Sequence, residues 1–212
     1  MLTFYTHNTP NGFKVAIALE ELGLDYRIER VNVHAGEQFA PAFKAVNPNA
    51  KVPVLVDDET GVATAESNAI LLYLAEKTGL LLPKDRVLRQ KAIELLFFQA
   101  ASIGPMFGQR AHFVLFAPEA LPYAINRYDT EGERLYDVLE TLLEGHEWFL
   151  PEYSIVDIAV FGWVFTAVTM GFQIGARPAL NAWYARMLAR PAVAKGMTIP
   201  APLPAFRAQR AA

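Results

Sequence analysis

Three short stretches in the first third of the chain carry side chains able to hold a small peptide-like molecule. Thr9-Pro10-Asn11-Gly12 puts a hydroxyl and a carboxamide where a strand hands over to a helix, a junction at which open α/β sheets offer backbone amides to ligands. Such donors at the positive end of a helix would favour a bound thiolate over its thiol, whose free pKa is near 8.5. The same two side chains can instead cap the helix, and the sequence leaves both readings open. Lys51-Val52-Pro53 enters an apolar run, where proline is tolerated at a first position or an edge. A cis bond before Pro53, the state of only ~5–6% of X-Pro bonds in folded proteins, would turn the Val52 amide and carbonyl toward a ligand pairing as an added strand. Glu66-Ser67 joins a carboxylate, a hydroxyl and helix-start amides, which suits an amino-acid end with its carboxylate on Ser67 and its ammonium on Glu66. A cap with a first-turn acid is the alternative. Together the three stretches describe a receptor for an extended peptide with a thiol in its middle and an amino acid at one end.

The elements that must position these residues follow from periodicity. Leu2 to Tyr5 reads as a strand and Phe13 to Leu22 as a helix stopped by Gly23. Tyr26 to Val31 alternates like a half-buried strand, and a short helix is expected around Pro41 to Val46. Val52 to Val56 is an apolar strand, Asp57 to Gly61 a hairpin turn, Val62 to Thr64 the returning strand, and Glu66 to Thr78 a helix closed by Gly79. The order βαβαββα predicts an α/β domain over 1–80, with a parallel right-handed unit and an antiparallel edge hairpin. Residues 81–88, with Pro83 among them, read as a linker, and 89–212 as an all-helical domain with a kink or break at Gly104-Pro105. Tyr153-Ser154-Ile155-Val156-Asp157 carries an aspartate variant of the capping box at the start of a buried helix. The proline-bearing tail, Pro200 to Ala212, is expected to wrap loosely over the surface.

Composition narrows the function. At 212 residues, with 53% hydrophobic and 19% charged side chains, the chain is long enough for one large or two small domains and collapses rather than staying solvated. Residues 1–80 hold six basic against ten acidic side chains, and the remainder thirteen against twelve. Neither half builds a polyphosphate-binding field, so a nucleic-acid partner is not expected. Zero cysteines exclude a disulfide framework, a thiolate metal site and a cysteine nucleophile, and no metal site is expected. Any thiol chemistry must use a bound thiol. The opening residues lack the basic and apolar regions of a signal peptide, which makes the cytoplasm the default. Nineteen uncharged residues lie between Asp157 and Arg177. Their dense part, Ile158 to Phe172, makes about 22 Å of helix at ~1.5 Å per residue, and we read it as core rather than as a membrane span.

Glutathione fits the receptor so described, and the sequence resembles the glutathione transferase superfamily over essentially its whole length. The likeness is greatest to the bacterial and fungal nu class of glutathione-dependent disulfide reductases, together with the transferase-like domain of a yeast nitrogen regulator. It is carried by Thr9-Pro10-Asn11-Gly12-Phe13-Lys14, Glu21-Leu22-Gly23-Leu24-Asp25-Tyr26, Pro48-Asn49-Ala50-Lys51-Val52-Pro53 and Glu66-Ser67-Asn68-Ala69-Ile70-Leu71-Leu72-Tyr73-Leu74. In the second domain it is carried by Gly104-Pro105-Met106-Phe107-Gly108-Gln109, Pro122 to Tyr128 and Tyr153 to Ala159.

The resemblance implies a thioredoxin-like domain followed by an all-helical one. Thr9 and Asn11 would lie nearest the glutathione sulfur, with Gln38, Asn49 and Lys51 at the glycyl end. Val52 would pair with the cysteinyl backbone before a cis Pro53, and Glu66 and Ser67 would take the γ-glutamyl group. Arg127 would reach across a homodimer interface to the partner's ligand. Tyr5 reads as a strand residue rather than the catalytic tyrosine of other classes. The implied activity is glutathione-dependent reduction of small disulfides, with peroxide reduction beside it. Conjugation of electrophiles and a non-catalytic regulatory module are the alternatives. The chain departs from the group at Ala65, at Asn68, which could add a polar contact or crowd the ligand's amino end, and in a shorter loop from Trp148 to Ser154. Phe107, Gln109, His112, Phe113 and Phe116 are either part of a second-substrate pocket or core and surface residues, and the helical spacing favours the latter.

Overall fold

In the computed structural model, which describes residues 1–202, β1 (Leu2–Thr6) feeds directly into α1 (Pro10–Glu21). Thr9 is the extended N-cap of α1, and Pro10, with no N–H to leave unpaired, takes the first helical position. The chain returns through β2 (Tyr26–Arg30), passes α2 (Pro41–Val46), makes the hairpin β3 (Val54–Asp57) and β4 (Val62–Ala65), and enters α3 (Ser67–Thr78). The element order is the expected βαβαββα. The sheet runs β2-β1-β3-β4, with β1 parallel to β2 and β3 antiparallel to both β1 and β4. Phe4, Val54 and Leu55 of the sheet are buried, as are Val15, Ile17 and Leu19 of α1 and Ile70, Leu71 and Leu74 of α3. Gly79 closes α3 at φ 71°, a left-handed conformation that a side chain would oppose.

By its contacts the chain forms two units, residues 1–82 together with 189–202, and residues 83–188. The sequence reading groups everything after 88 as helical domain; in the structure α9 (Pro191–Gly196) packs on α1 of the first unit. Arg190 holds Glu21 through two parallel bonds of 2.6 and 2.8 Å, and Lys195 pairs with Glu20 at 2.6 Å. A Cβ on Gly196 would stand 2.7 Å from both the Cα and the N of Ile17, so the two backbones meet with no room for a methyl group. Gly196→Ala is therefore expected to lower stability by about 1–3 kcal/mol as α9 is pushed off α1. The check is the thermal midpoint, which moves about 2–4 °C per kcal/mol at this size; an unchanged midpoint would mean that the approach relaxes freely. The expectation for the proline tail falls largely on residues 203–212, outside the described residues.

The second unit holds α4 (Arg86–Phe98), α5 (Gly104–Ala111), α6 (Pro122–Leu143), α7 (Ile155–Thr169) and α8 (Pro178–Leu188). Asp85 caps α4 by accepting from the Val87 and Leu88 amides at 3.0 and 2.9 Å. The expected break at Gly104-Pro105 is a pair of wide π turns, Gln99–Ile103 before it and His112–Phe116 after α5. Pro105 has no N–H to give to the preceding turn, and the winding loosens just ahead of it. α7 is the buried helix, opened by Ser154 and Asp157 in the anticipated capping box. Among the described residues no helix is long and apolar enough to cross a membrane.

Candidate active site

The starts of α1 and α3 are joined by hydrogen bonds. Thr9 Oγ1 accepts the Gly12 amide at 2.9 Å, so the capping reading holds. A hydroxyl that accepts with a lone pair keeps its proton for a second partner, so capping does not prevent Thr9 from donating to a ligand. Only glycine fits at position 12, because a Cβ there would lie 2.5 Å from the His7 carbonyl oxygen. Asn11, two residues past the cap, uses Oδ1 to accept from the Ser67 hydroxyl at 3.3 Å. That bond links a residue expected beside the sulfur to one expected at the γ-glutamyl end.

Lys14 is the member of this cluster that sequence reasoning missed. It is 2% exposed, and its Nζ donates to Ser67 Oγ and Asn68 Oδ1, both at 3.2 Å. Burial pushes its pKa down to about 7, against the pull of the Glu66 carboxylate. Asn68 thus supplies a polar contact to Lys14. The residue was legible only as the last letter of the Thr9–Lys14 motif; a lysine beside an apolar helix face ordinarily reads as solvated.

Glu66 is exposed and stands at φ 70°, ψ 113°, conditions a non-glycine residue meets at a cost of about 1–3 kcal/mol. Its carbonyl still accepts the first α3 bond, from the Ile70 amide at 3.0 Å. The Val52-Pro53 bond is cis, and β3 begins only at Val54, which leaves Val52 outside the ladder. Buried Asn47, a second residue missed from sequence, shapes this loop. Its Nδ2 donates to the Lys51 carbonyl at 2.7 Å and its Oδ1 accepts from the Asn49 amide at 3.0 Å. Asn49 and Lys51 themselves are exposed. Gln38 sits in a short 3₁₀ turn, Glu37–Phe39, and its Oε1 is buried with no partner among the described residues. A buried acceptor left open in this way fits a ligand N–H. The structure therefore ties Thr9, Asn11, Glu66 and Ser67 to the two helix starts and puts Gln38, Asn49, Lys51 and Val52 on loops of the same unit. Arg127 is exposed on α6 of the second unit.

Two further expectations resolve. Tyr5 is a strand residue whose ring packs 6.0 Å from that of Phe43. Of the aromatic set, Phe107 is core, edge-on to Tyr136 at 5.0 Å and Phe172 at 5.6 Å, whereas Gln109, His112 and Phe116 are exposed and Phe113 stacks on Tyr128 at 5.5 Å.

Residues 1–76 match the family model for the glutathione S-transferase N-terminal domain, and residues 122–186 the model for the C-terminal domain. The chain belongs to the glutathione S-transferase family. Within the family it is 42% identical to the disulfide-bond oxidoreductase YfcG of Escherichia coli strain K12, over 93% of this chain and 94% of that one. A glutathione transferase from Pseudomonas putida, solved with one glutathione disulfide per subunit, superposes with a TM-score of 0.91 at 39% identity, over 94% of this chain and 91% of that one. One from Burkholderia graminis, solved with two glutathione molecules per subunit, gives 0.90 at 42% identity over 94% and 88%. The transferase fold thus places the Thr9, Val52-Pro53 and Glu66-Ser67 stretches in its N-terminal domain.

Proposed function

We propose that this chain is a glutathione-dependent disulfide reductase that holds the glutathione sulfur as a thiolate beside Thr9 and Asn11. The observation that carries the reading is the Ser67–Asn11 hydrogen bond, which couples the start of α3 to the start of α1. The backbone amides at the start of α3, that of Ser67 among them, suit a carboxylate, and Glu66, exposed and held in a strained backbone, suits the neighbouring ammonium. Val52, outside the ladder, offers its backbone to an extended peptide. Gln38, Asn49 and Lys51 serve the glycyl end, where Gln38 has an open acceptor.

Glutathione supplies the sulfur chemistry the chain lacks: two thiols give two electrons and two protons to a small disulfide, yielding two product thiols and oxidised glutathione. The residues at the helix starts do the rest. They bind, orient and lower the charge cost of the anion. The names and ligands of the relatives support this stoichiometry, since those proteins include a disulfide-bond oxidoreductase and transferases holding either two glutathiones or their disulfide. Peroxide reduction uses the same thiolate. A cytoplasmic homodimer, with Arg127 reaching the partner's ligand, completes the reading.

Paired assays test it. Turnover of 2-hydroxyethyl disulfide should exceed turnover of a chlorinated nitrobenzene; the reverse order assigns the chain to conjugation, and no turnover of either makes it a binding module.

A further inference from the structure

We propose that Lys14 is a positioning residue for the thiolate: by donating to Ser67 it commits the Ser67 hydroxyl proton to Asn11 Oδ1, and so fixes the Asn11 amide with its NH2 as the end offered to the sulfur. This rests on the proposed thiolate role of Asn11. A serine hydroxyl has one proton and two lone pairs, and an ammonium has donors only. The Lys14–Ser67 bond of 3.2 Å therefore runs from Lys14 to Ser67 and takes up one of the two lone pairs, and the Ser67 proton points to Asn11 Oδ1 at 3.3 Å. Without that donor both lone pairs of the serine are open, and it accepts more readily from the Asn11 NH2. The amide would then turn its carbonyl oxygen toward an anionic sulfur, which it repels. Asn68 Oδ1 anchors the other side of the ammonium at 3.2 Å, so Lys14 bridges the two residues that open α3. A buried charge is costly unless it is hydrogen-bonded, and the nearby Glu66 carboxylate favours the protonated form.

The test follows the thiol itself, through the absorbance of bound glutathione near 240 nm as a function of pH. In wild type the midpoint should lie below the ~8.5 of a free thiol. Lys14→Met should raise it by about one unit, which is tenfold less thiolate below the midpoint. Lys14→Gln keeps an N–H donor without the charge, and should hold the midpoint within about 0.3 unit of wild type. A depressed wild-type midpoint that Lys14→Met leaves in place overturns the inference alone, and so does a Gln variant displaced as far as the Met variant. If Lys14→Met does not fold, Lys14→Gln decides: an unmoved midpoint supports the inference and a one-unit rise overturns it. A wild-type midpoint equal to that of free glutathione overturns the thiolate reading, and this inference with it.

Discussion

Replacing Asp157 by alanine is expected to cost about 3–5 kcal/mol of stability, because it strands several buried donors together. The carboxylate is fully buried at the start of α7. Its Oδ1 accepts from the Phe149 amide at 3.3 Å and from Trp183 Nε1 at 3.0 Å, while its Oδ2 accepts from the Ser154 amide at 3.0 Å and the Ser154 hydroxyl at 3.2 Å. The hydroxyl can rotate to another partner; the three N–H groups cannot, and each left unpaired costs roughly 1–3 kcal/mol. A thermal midpoint lower by about 10 °C, read in the near-ultraviolet aromatic signal, would be the direct observation. A drop of less than about 2 °C would mean that water replaces the carboxylate at little cost. The pH dependence adds a second check. Burial pushes the Asp157 pKa up to about 6, against hydrogen bonds from Trp183, Phe149 and Ser154 that pull it down. A carboxyl raised in the folded state contributes stability that is complete below its unfolded pKa, near 4, and declines as pH climbs through about 6. The gap between wild type and Asp157→Ala should therefore narrow from pH 4 to pH 7.

The Ser154–Asp157 part of that cluster was legible in advance because its signal is local, whereas the Phe149 and Trp183 bonds were not. Ser154 and Asp157 stand three residues apart ahead of an apolar run, and the reciprocal caps formed as that spacing requires. The same holds for Thr9 before Pro10, for Gly79 after Thr78, and for the periodicity that set the order of strands and helices along the first domain. What the sequence concealed depends on distant pairings. Gly196 has meaning only against the backbone of Ile17, and nothing in Ala194-Lys195-Gly196 announces that partner. Lys14 belongs to the site only because α3 comes alongside α1 and brings Ser67 and Asn68 to its ammonium, which buries a side chain whose default is solvent. Asn47 was hidden differently: Asn47-Pro48-Asn49 reads as a turn, and only the folded loop shows that one amide spans it from Lys51 to Asn49. The π turns flanking α5 also escaped notice, since Gly104-Pro105 signals a disruption and not its form.

The site makes its own large prediction at Asn11. Thr9 is the residue that caps α1, so Asn11→Ala should remove less than the ~1 kcal/mol that a lost cap costs and leave the thermal midpoint nearly in place. Its effect should fall on the reaction instead. A hydrogen bond to a charged partner is worth about 1.5–3 kcal/mol, so disulfide turnover as kcat/KM at pH 7 should drop roughly 10- to 30-fold, the upper bound being set by a midpoint that rises no further than the ~8.5 of a free thiol. The sign of the pH dependence separates this from a general loss of fit. A donor that stabilises the anion lowers the thiol pKa, and its removal moves the midpoint up toward the ~8.5 of a free thiol. Below the wild-type midpoint both proteins gain activity in parallel as pH rises; above it the variant alone keeps gaining. The deficit should therefore close progressively by about pH 9.5, where either protein would hold the thiolate. A deficit constant from pH 6 to pH 9.5 would mean that Asn11 orients the ligand without stabilising its charge, and full activity at pH 7 would remove Asn11 from the chemistry. If Lys14 acts on the sulfur through Ser67 and Asn11, as proposed, Lys14→Met placed on top of Asn11→Ala should add almost nothing to the midpoint shift, the non-additivity expected of residues that form one hydrogen-bonded chain.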